Sequence, residues 1–242
     1  MGGSIEIQNV SKLFRVYQGK SYSLKEKLLY WGKEKSEEFW ALRDINLSIP
    51  EGVAIGLVGR NGSGKSTLLK LISKILYPTT GSITVKGKMS TLLELGAGFH
   101  PDFTGRENIY LNGSILGFTR KEIEEKLPSI VEFSELADFL DTPVRNYSSG
   151  MYMRLGFAIA IHVNPDILLI DEVLAVGDYA FQEKCVDAIM KLKHQGKTIV
   201  FVSHSGNQVK QLCEKAVWLD KGQIRMYGDA DLVVQEYERR VE

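Results

Sequence analysis

The segment GRNGSGKST, Gly59 to Thr67, has the residue types and spacing needed to hold a chain of phosphates. It satisfies G-x-x-x-x-G-K-[ST], and it follows an apolar run and opens a helical pattern, which is the context that motif requires. Gly59, Gly62 and Gly64 let the backbone curl until successive N–H groups point at phosphate oxygens. Asn61, Ser63 and Thr67 complete the binding loop. Lys65 brings a point charge to the β- and γ-phosphates, Ser66 offers a hydroxyl to Mg²⁺, and the helix dipole adds positive potential.

A second group of chemical residues stands in ILLIDE, where Asp171 and Glu172 end an apolar run. Asp171 suits the shell of the metal and Glu172 the polarisation of an attacking water. Taken alone, the pair reads equally well as a solvated acidic cap on a strand; beside the phosphate loop the catalytic reading gains weight. His204 follows a third apolar run; a lone His there is more often structural, and its candidacy for contact with a γ-phosphate rests on the phosphate loop and acidic pair beside it. A further stretch, NYSSGMYMRLGFAIA from Asn146, reads either as a helix start or as a phosphate-recognition tip. One helix N-terminus can do both jobs.

These residues need elements to position them. VAIGLVG from Val53, DILLID from Asp166 and TIVFVSH from Thr198 are continuous apolar runs suited to a parallel sheet covered on both faces. Ligands of open α/β sheets sit beyond the carboxyl ends of the strands, so the three polar run ends are expected to converge. KSTLLKLISKIL reads as a helix up to Leu76, stopped by Pro78. EIQNVSKLFRVY and WALRDINLSIP read as strands beside the core. Between them lies an insertion at 18–39, with a Ser23/Glu26 capping box and Leu24, Leu28 and Trp31 on one helical face. Thr119 and Glu122 form another capping box, SELADFL reads as helix, and DLVVQEYERRVE as a short C-terminal helix.

The expected fold class is α/β: a P-loop NTPase with a mixed, mainly parallel central sheet, an N-terminal antiparallel β region and an inserted helical lobe. The expected organisation is a single domain over 1–242, with the α/β core at about 1–99 and 164–242 and the lobe at about 100–163. Lys plus Arg equals Asp plus Glu at 30 each, so no overall field points to nucleic acid or an anionic membrane. Cys185 and Cys213 have neither metal-ligand spacing nor a disulfide framework, which fits a reducing cytosol. The N-terminus lacks the apolar core of a signal peptide, and no apolar run approaches the roughly 20 residues needed to cross a bilayer. A soluble intracellular protein is expected, with membrane contact only through a partner.

Collected in order, these motifs resemble the nucleotide-binding subunit of an ABC transporter over nearly the whole chain. The resemblance implies ATP and Mg²⁺ as ligands, an ATP-dependent homodimer, and a membrane-spanning partner subunit. It implies a peripheral place on the cytoplasmic face of the inner (plasma) membrane, with no nucleic acid. The family's L-S-G-G-Q signature slot holds YSSGM here, keeping Ser148 and Gly150, with the small Ser149 between them. The resemblance makes this tip the part that reaches the γ-phosphate held by the opposite subunit. It makes Asp178 a candidate for cross-subunit contact, His204 the switch histidine, and Phe14, with Tyr17 as competitor, the aromatic stacked on adenine. Glu94 fills the slot of the Q-loop glutamine, where it can ligate or water-bridge Mg²⁺ while adding negative charge.

LLELGAGFHPDFTGREN, YSSGMYMRLGFAIA and DEVLAVGDYAFQEKC are together similar to ATPases that energise export of bacterial surface polysaccharides: O-antigen, capsule or teichoic acid. No C-terminal carbohydrate-binding module is expected within this chain. The segment after Glu94 and the 18–39 insertion are candidates for the partner-facing surface, the insertion equally for a lid over its own nucleotide. A ribosome- or DNA-directed ABC protein and a small-molecule kinase are the rival readings. The first usually shows fused cassettes or long coiled coils, and the second leaves the signature slot and His204 unexplained. Glu172→Gln is expected to lower ATP turnover by roughly 10²- to 10⁴-fold while ATP binding survives. Steady-state hydrolysis beside a nucleotide titration checks this, and normal turnover would assign the water to another group.

Overall fold

The computed structural model describes residues 3–17, 36–93, 95–171 and 177–241. Strands Ser4–Tyr17 (β1), Ser36–Ile49 (β2) and Thr80–Lys86 (β4) form an antiparallel sheet in the order β2-β1-β4. Alternation gives it one apolar face: Ile5 pairs with Ile49 and Ile7 with Leu47, all buried, while Gln8 and Ser48 are exposed.

The central sheet contains Ala54–Val58 (β3), Met89–Thr91 (β5), Ile167–Asp171 (β6), Thr198–Val202 (β7), Lys215–Asp220 (β8) and Gln223–Asp229 (β9). Its order is β5-β6-β7-β3-β8-β9, and every neighbouring pair is parallel except β8 and β9. The three apolar runs are therefore the adjacent strands β6, β7 and β3. Each strand feeds two cores by alternation. Ile55, Leu57, Leu169, Val200 and Val202 face one core, which also takes the apolar face of the antiparallel sheet. Ala54, Val58, Leu168, Ile170 and Phe201 face the other.

The first core is filled by helix Lys65–Ile72 (α1), whose Leu68, Leu69, Leu71 and Ile72 are buried. Each such side chain stabilises the fold by about 1.5–3 kcal/mol. Between β5 and β6 run helices Gly105–Ile115 (α2), Arg120–Ser134 (α3) and Ser149–His162 (α4), and no strand occurs there among the described residues. Capping boxes start α2 at Thr104/Glu107 and α3 at Thr119/Glu122. Helices Tyr179–His194 (α5), Gly206–Leu212 (α6) and Ala230–Val241 (α7) complete the chain. Gly206 lets α7 approach closely, with Val234 and Glu238 in the space a Cβ would take, and Lys210 pairs with Glu238 at 3.2 Å. Cys185 and Cys213 are buried, and that burial pushes both thiols up to about 12.

Several expected boundaries move. Helix α1 ends at Ile72, before Leu76: Lys74 is left-handed (φ 62), and Leu76 N turns back to Lys70 O at 2.9 Å. SELADFL is not one helix, because Glu135 ends α3 in the left-handed region (φ 60) and only a 3₁₀ turn, Ala137–Phe139, follows. The insertion does not extend to residue 39, since Ser36–Phe39 already pair with β1. Residues 18–35, with the Ser23/Glu26 box, lie outside the described residues.

Candidate active site

The phosphate loop starts where β3 ends. Gly59 has φ 151, and a Cβ there would run into Leu219 O at the end of β8 and Ser63 Oγ. Gly64, the N-cap of α1 at φ 109, leaves no room for a side chain against Leu42 and Ala41 O of β2. Backbone bonds fix the back of the loop: Gly222 N donates to Ser63 O at 3.0 Å, and Arg43 N donates to Gly222 O at 2.8 Å. Lys65 is only 5% exposed. Its Nζ donates to Gly59 O at 2.7 Å and Arg60 O at 3.1 Å, closing the loop upon itself.

A cavity of about 530 Å³ opens over this loop. Asn61, Gly62, Gly64, Lys65, Ser66 and Thr67 form one wall, and Asp171 from β6 and His204 beyond β7 form another. Phe14 on β1 stands at the opening. The volume falls within the range of small-ligand sites. Thus the structure brings together most of the residues read as a phosphate site, from three adjacent strand ends and a separate sheet. Gly59 and Ser63 shape the loop from behind without lining the cavity.

Two lining residues escaped the sequence reading. Phe39 and Ala41 of β2 face the cavity, and Phe39, 54% exposed, is the cross-strand partner of Phe14. Their spacing of two residues, which puts both on one face of a strand, was the available signal. Tyr17 ends β1, but its side chain is outside the described residues, as are Glu94 and Glu172. Among the described residues no group of three or more His, Cys, Asp or Glu could hold a metal. Ser66 and Asp171, one hydroxyl and one carboxylate, fit an ion such as Mg²⁺ that takes its remaining ligands from phosphates and water.

Ser148, Ser149, Gly150 and Asp178 do not line this cavity. Ser148 caps α4, accepting Met151 N at 3.2 Å. Residues Leu155 to Ile161 of α4 are all buried, while Ser148 and Ser149 at its tip are exposed. A helix N-terminus carries unsatisfied N–H groups and positive potential, so the exposed tip suits an anion approaching from outside the protomer. Tyr147 Oη donates to Phe139 O at 2.8 Å and Tyr152 Oη to Gly96 O at 2.9 Å, which ties the start of α4 to its surroundings.

Asp178 is engaged within its own protomer. Its Oδ1 accepts Phe181 N at 3.0 Å, capping α5, and its Oδ2 accepts Arg154 Nη2 at 2.8 Å. Arg154, also missed by the sequence reading, donates from Nη1 to Glu135 at 2.6 Å and lies over Phe181 at 4.7 Å. The hydrogen-bonded Lys184 ammonium, helped by Arg154, holds the Glu135 carboxyl below its usual range.

The model of the family described as ABC transporter matches residues 42–175. The chain belongs to the ABC transporter family. Among curated relatives of this ABC chain, the O-antigen export system ATP-binding protein RfbB of Myxococcus xanthus is 51% identical, over 98% of this chain but 56% of that protein. RfbB of Klebsiella pneumoniae is 44% identical over 97% of both chains. The teichoic acids export ATP-binding protein TagH of Listeria monocytogenes is 46% identical over 100% of this chain and 72% of its own length. The fold is shared with a dimeric ATP-binding cassette in a post-hydrolysis state bound to ADP and Pi (TM-score 0.73, 23% identity, 93% of this chain and 98% of that one). It is also shared with an ATP-binding subunit of an ABC transporter (TM-score 0.76, 20% identity, 98% and 95%).

Gly59→Ala is expected to weaken nucleotide binding at least about tenfold, equivalent to ~1.4 kcal/mol, because the loop must move off the Leu219 carbonyl. Equilibrium titration with a fluorescent ATP analogue checks it; wild-type affinity would show that the loop tolerates a Cβ.

Proposed function

We propose that this chain is the ATP-binding and hydrolysing subunit of an exporter for a lipid-linked surface polysaccharide, O-antigen first. Two copies dimerise around two ATP molecules. The observation that carries the reading is that the phosphate-binding parts are not gathered in one place. Phosphate loop, Asp171 and His204 line one cavity, which the exposed Ser148 tip does not line. Each ATP is held by Lys65, Ser66 and Asp171 of one copy and by Ser148, Ser149 and Gly150 of the other. Mg²⁺, bound with ATP at Ser66 and Asp171, neutralises phosphate charge. Glu172 positions the water, and His204 with Lys65 steadies the terminal phosphate. The clasp favours the closed pair only while the γ-phosphate is present, so hydrolysis shifts the population toward the open one.

The substrate class is supported by the names of the relatives, O-antigen export proteins at 51% and 44% identity. Teichoic acid export is the second reading, supported by the 46% identical Listeria relative that matches this chain over its whole length. The force of closing passes to a membrane-spanning partner, a reading supported by the export-system names of the relatives. The segment after Glu94 is the proposed contact. Phe103 and Ile115 are exposed there, and Gly96 is hydrogen-bonded to α4 through Tyr152.

Ser148→Arg is expected to abolish hydrolysis yet leave the nucleotide affinity of the monomer near normal; loss of monomer binding in the titration would argue against the trans role. The protein is also expected to sediment with membranes only when its membrane partner is co-expressed. Fractionation and immunoblotting read this, and a soluble distribution with the partner present would remove transport from the reading.

A further inference from the structure

A groove of about 1130 Å³, larger than the nucleotide cavity, lies on the other side of the phosphate loop. Its floor is Trp218 of β8 and Met226 of β9. One side is the stripe of α7 formed by Leu232, Gln235, Glu236 and Arg239, residues spaced to share a helical face. The other side is Lys221 at the β8–β9 turn and Arg60 of the phosphate loop. Charge is unbalanced here although the whole chain is neutral. Among the described lining residues, Arg60, Lys221, Arg225, Arg239 and Arg240 face two carboxylates, Asp220 and Glu236.

Those carboxylates are already used. Asp220 pairs with Arg225 at 3.3 Å, and Glu236 accepts from Arg239 Nε at 3.0 Å and Nη2 at 3.1 Å and from Arg240 Nε. The two guanidiniums hold Glu236 below the usual carboxylate range, Arg239 contributing most. Arg240 also lies 5.8 Å from the Trp218 ring. Neither Arg60 nor Lys221 has an acidic partner among the described residues. Cations gathered around an aromatic floor, with positive charge in excess, are suited to an anion that carries an apolar part.

We propose that this groove binds a phosphate-bearing anion, its phosphate seated among Arg60, Lys221 and Arg225 and any apolar portion against Trp218 and Met226. Occupancy bears on the neighbouring nucleotide site because both share backbone. The Arg60 carbonyl accepts from Lys65 Nζ, and Gly222, next to Lys221, donates to Ser63 O. The proposal does not depend on the transport reading.

The test compares Lys221→Glu/Arg225→Glu with its wild-type parent, so that the intact phosphate loop is common to both and drops out of the difference. Tripolyphosphate is titrated by calorimetry at low salt, and flotation is measured with phosphatidylglycerol and with phosphatidylcholine vesicles. The parent is expected to bind at least one of the anionic probes, about tenfold or more tighter than the variant, with affinity falling as salt screens the groove. A difference with tripolyphosphate alone assigns a soluble phosphate compound. A difference with phosphatidylglycerol vesicles alone assigns a lipid headgroup, and a difference with both assigns their common phosphate chemistry. Equal behaviour of parent and variant with both probes overturns the site. The milder Lys221→Gln/Arg225→Gln, with circular dichroism of each protein, separates lost binding from lost folding.

Discussion

Burial of one ammonium group constrains the whole centre of the molecule. Lys65 is 5% exposed, and a cation taken from water must regain its hydrogen bonds or the fold loses several kcal/mol. Two of its acceptors are carbonyls of its own loop, Gly59 O and Arg60 O. Those carbonyls point inward only if the loop curls, and the curl needs φ values of 151 at Gly59 and 109 at Gly64. The curl in turn brings the loop hard against Leu219 O and Ala41 O, leaving no space for a Cβ at either glycine. The phosphate loop is therefore braced by the chain itself, by the end of β8 on one side and β2 on the other.

That arrangement explains why two sheets are needed. The parallel strands deliver the loop, Asp171 and His204 to one edge, but the aromatic side of the cavity belongs to the antiparallel sheet. The two are joined through the core around α1, in which Leu68 and Leu69 meet Ile7 and Leu42 on one side and Leu57 and Leu169 on the other. The register of β1 shifts between Ile7 and Val10 and again before Leu13. Such bulges change which face of a strand a given residue occupies. Ile5, Ile7 and Val10 consequently point into the core, while Phe14, farther along the same strand, reaches the cavity beside Phe39.

What was legible in the sequence follows the same physics. The phosphate loop is local, so its pattern and its flanks suffice. β3 and β7 are buried at every position and read as unbroken apolar runs. β4 and β9 alternate between exposed and half-buried residues and gave no such signal. Phe39 follows the charged run EKSEE, which masks the start of β2, a strand held by pairing with β1 instead of by its own composition. Leu76 keeps helical spacing after α1, yet Lys74 enters the left-handed region and Leu76 N bonds back to Lys70 O, a local helix stop. The departures of YSSGM from the family signature leave the helix start intact, because the Ser148 cap and the backbone N–H groups of the tip are kept.

The tie between Asp178 and α4 could not be read from sequence, since it is made by tertiary ion pairs. Arg154 joins Glu135, at the end of α3, to Asp178, at the start of α5, and its side chain is only 19% exposed. The two carboxylates are 51% and 65% exposed, so each pair is screened by solvent and the hold comes from one guanidinium reaching both. α3, α4 and α5 are thus fastened around one guanidinium, and the Ser148 tip cannot shift far without disturbing Asp178. The phosphate loop is braced separately, by β2 and β8. In the proposed dimer, then, the terminal phosphate is gripped by two internally stiff bodies, each from a different copy. Its loss is read as a change in the distance between them, which is the form of motion a packed protein performs most readily.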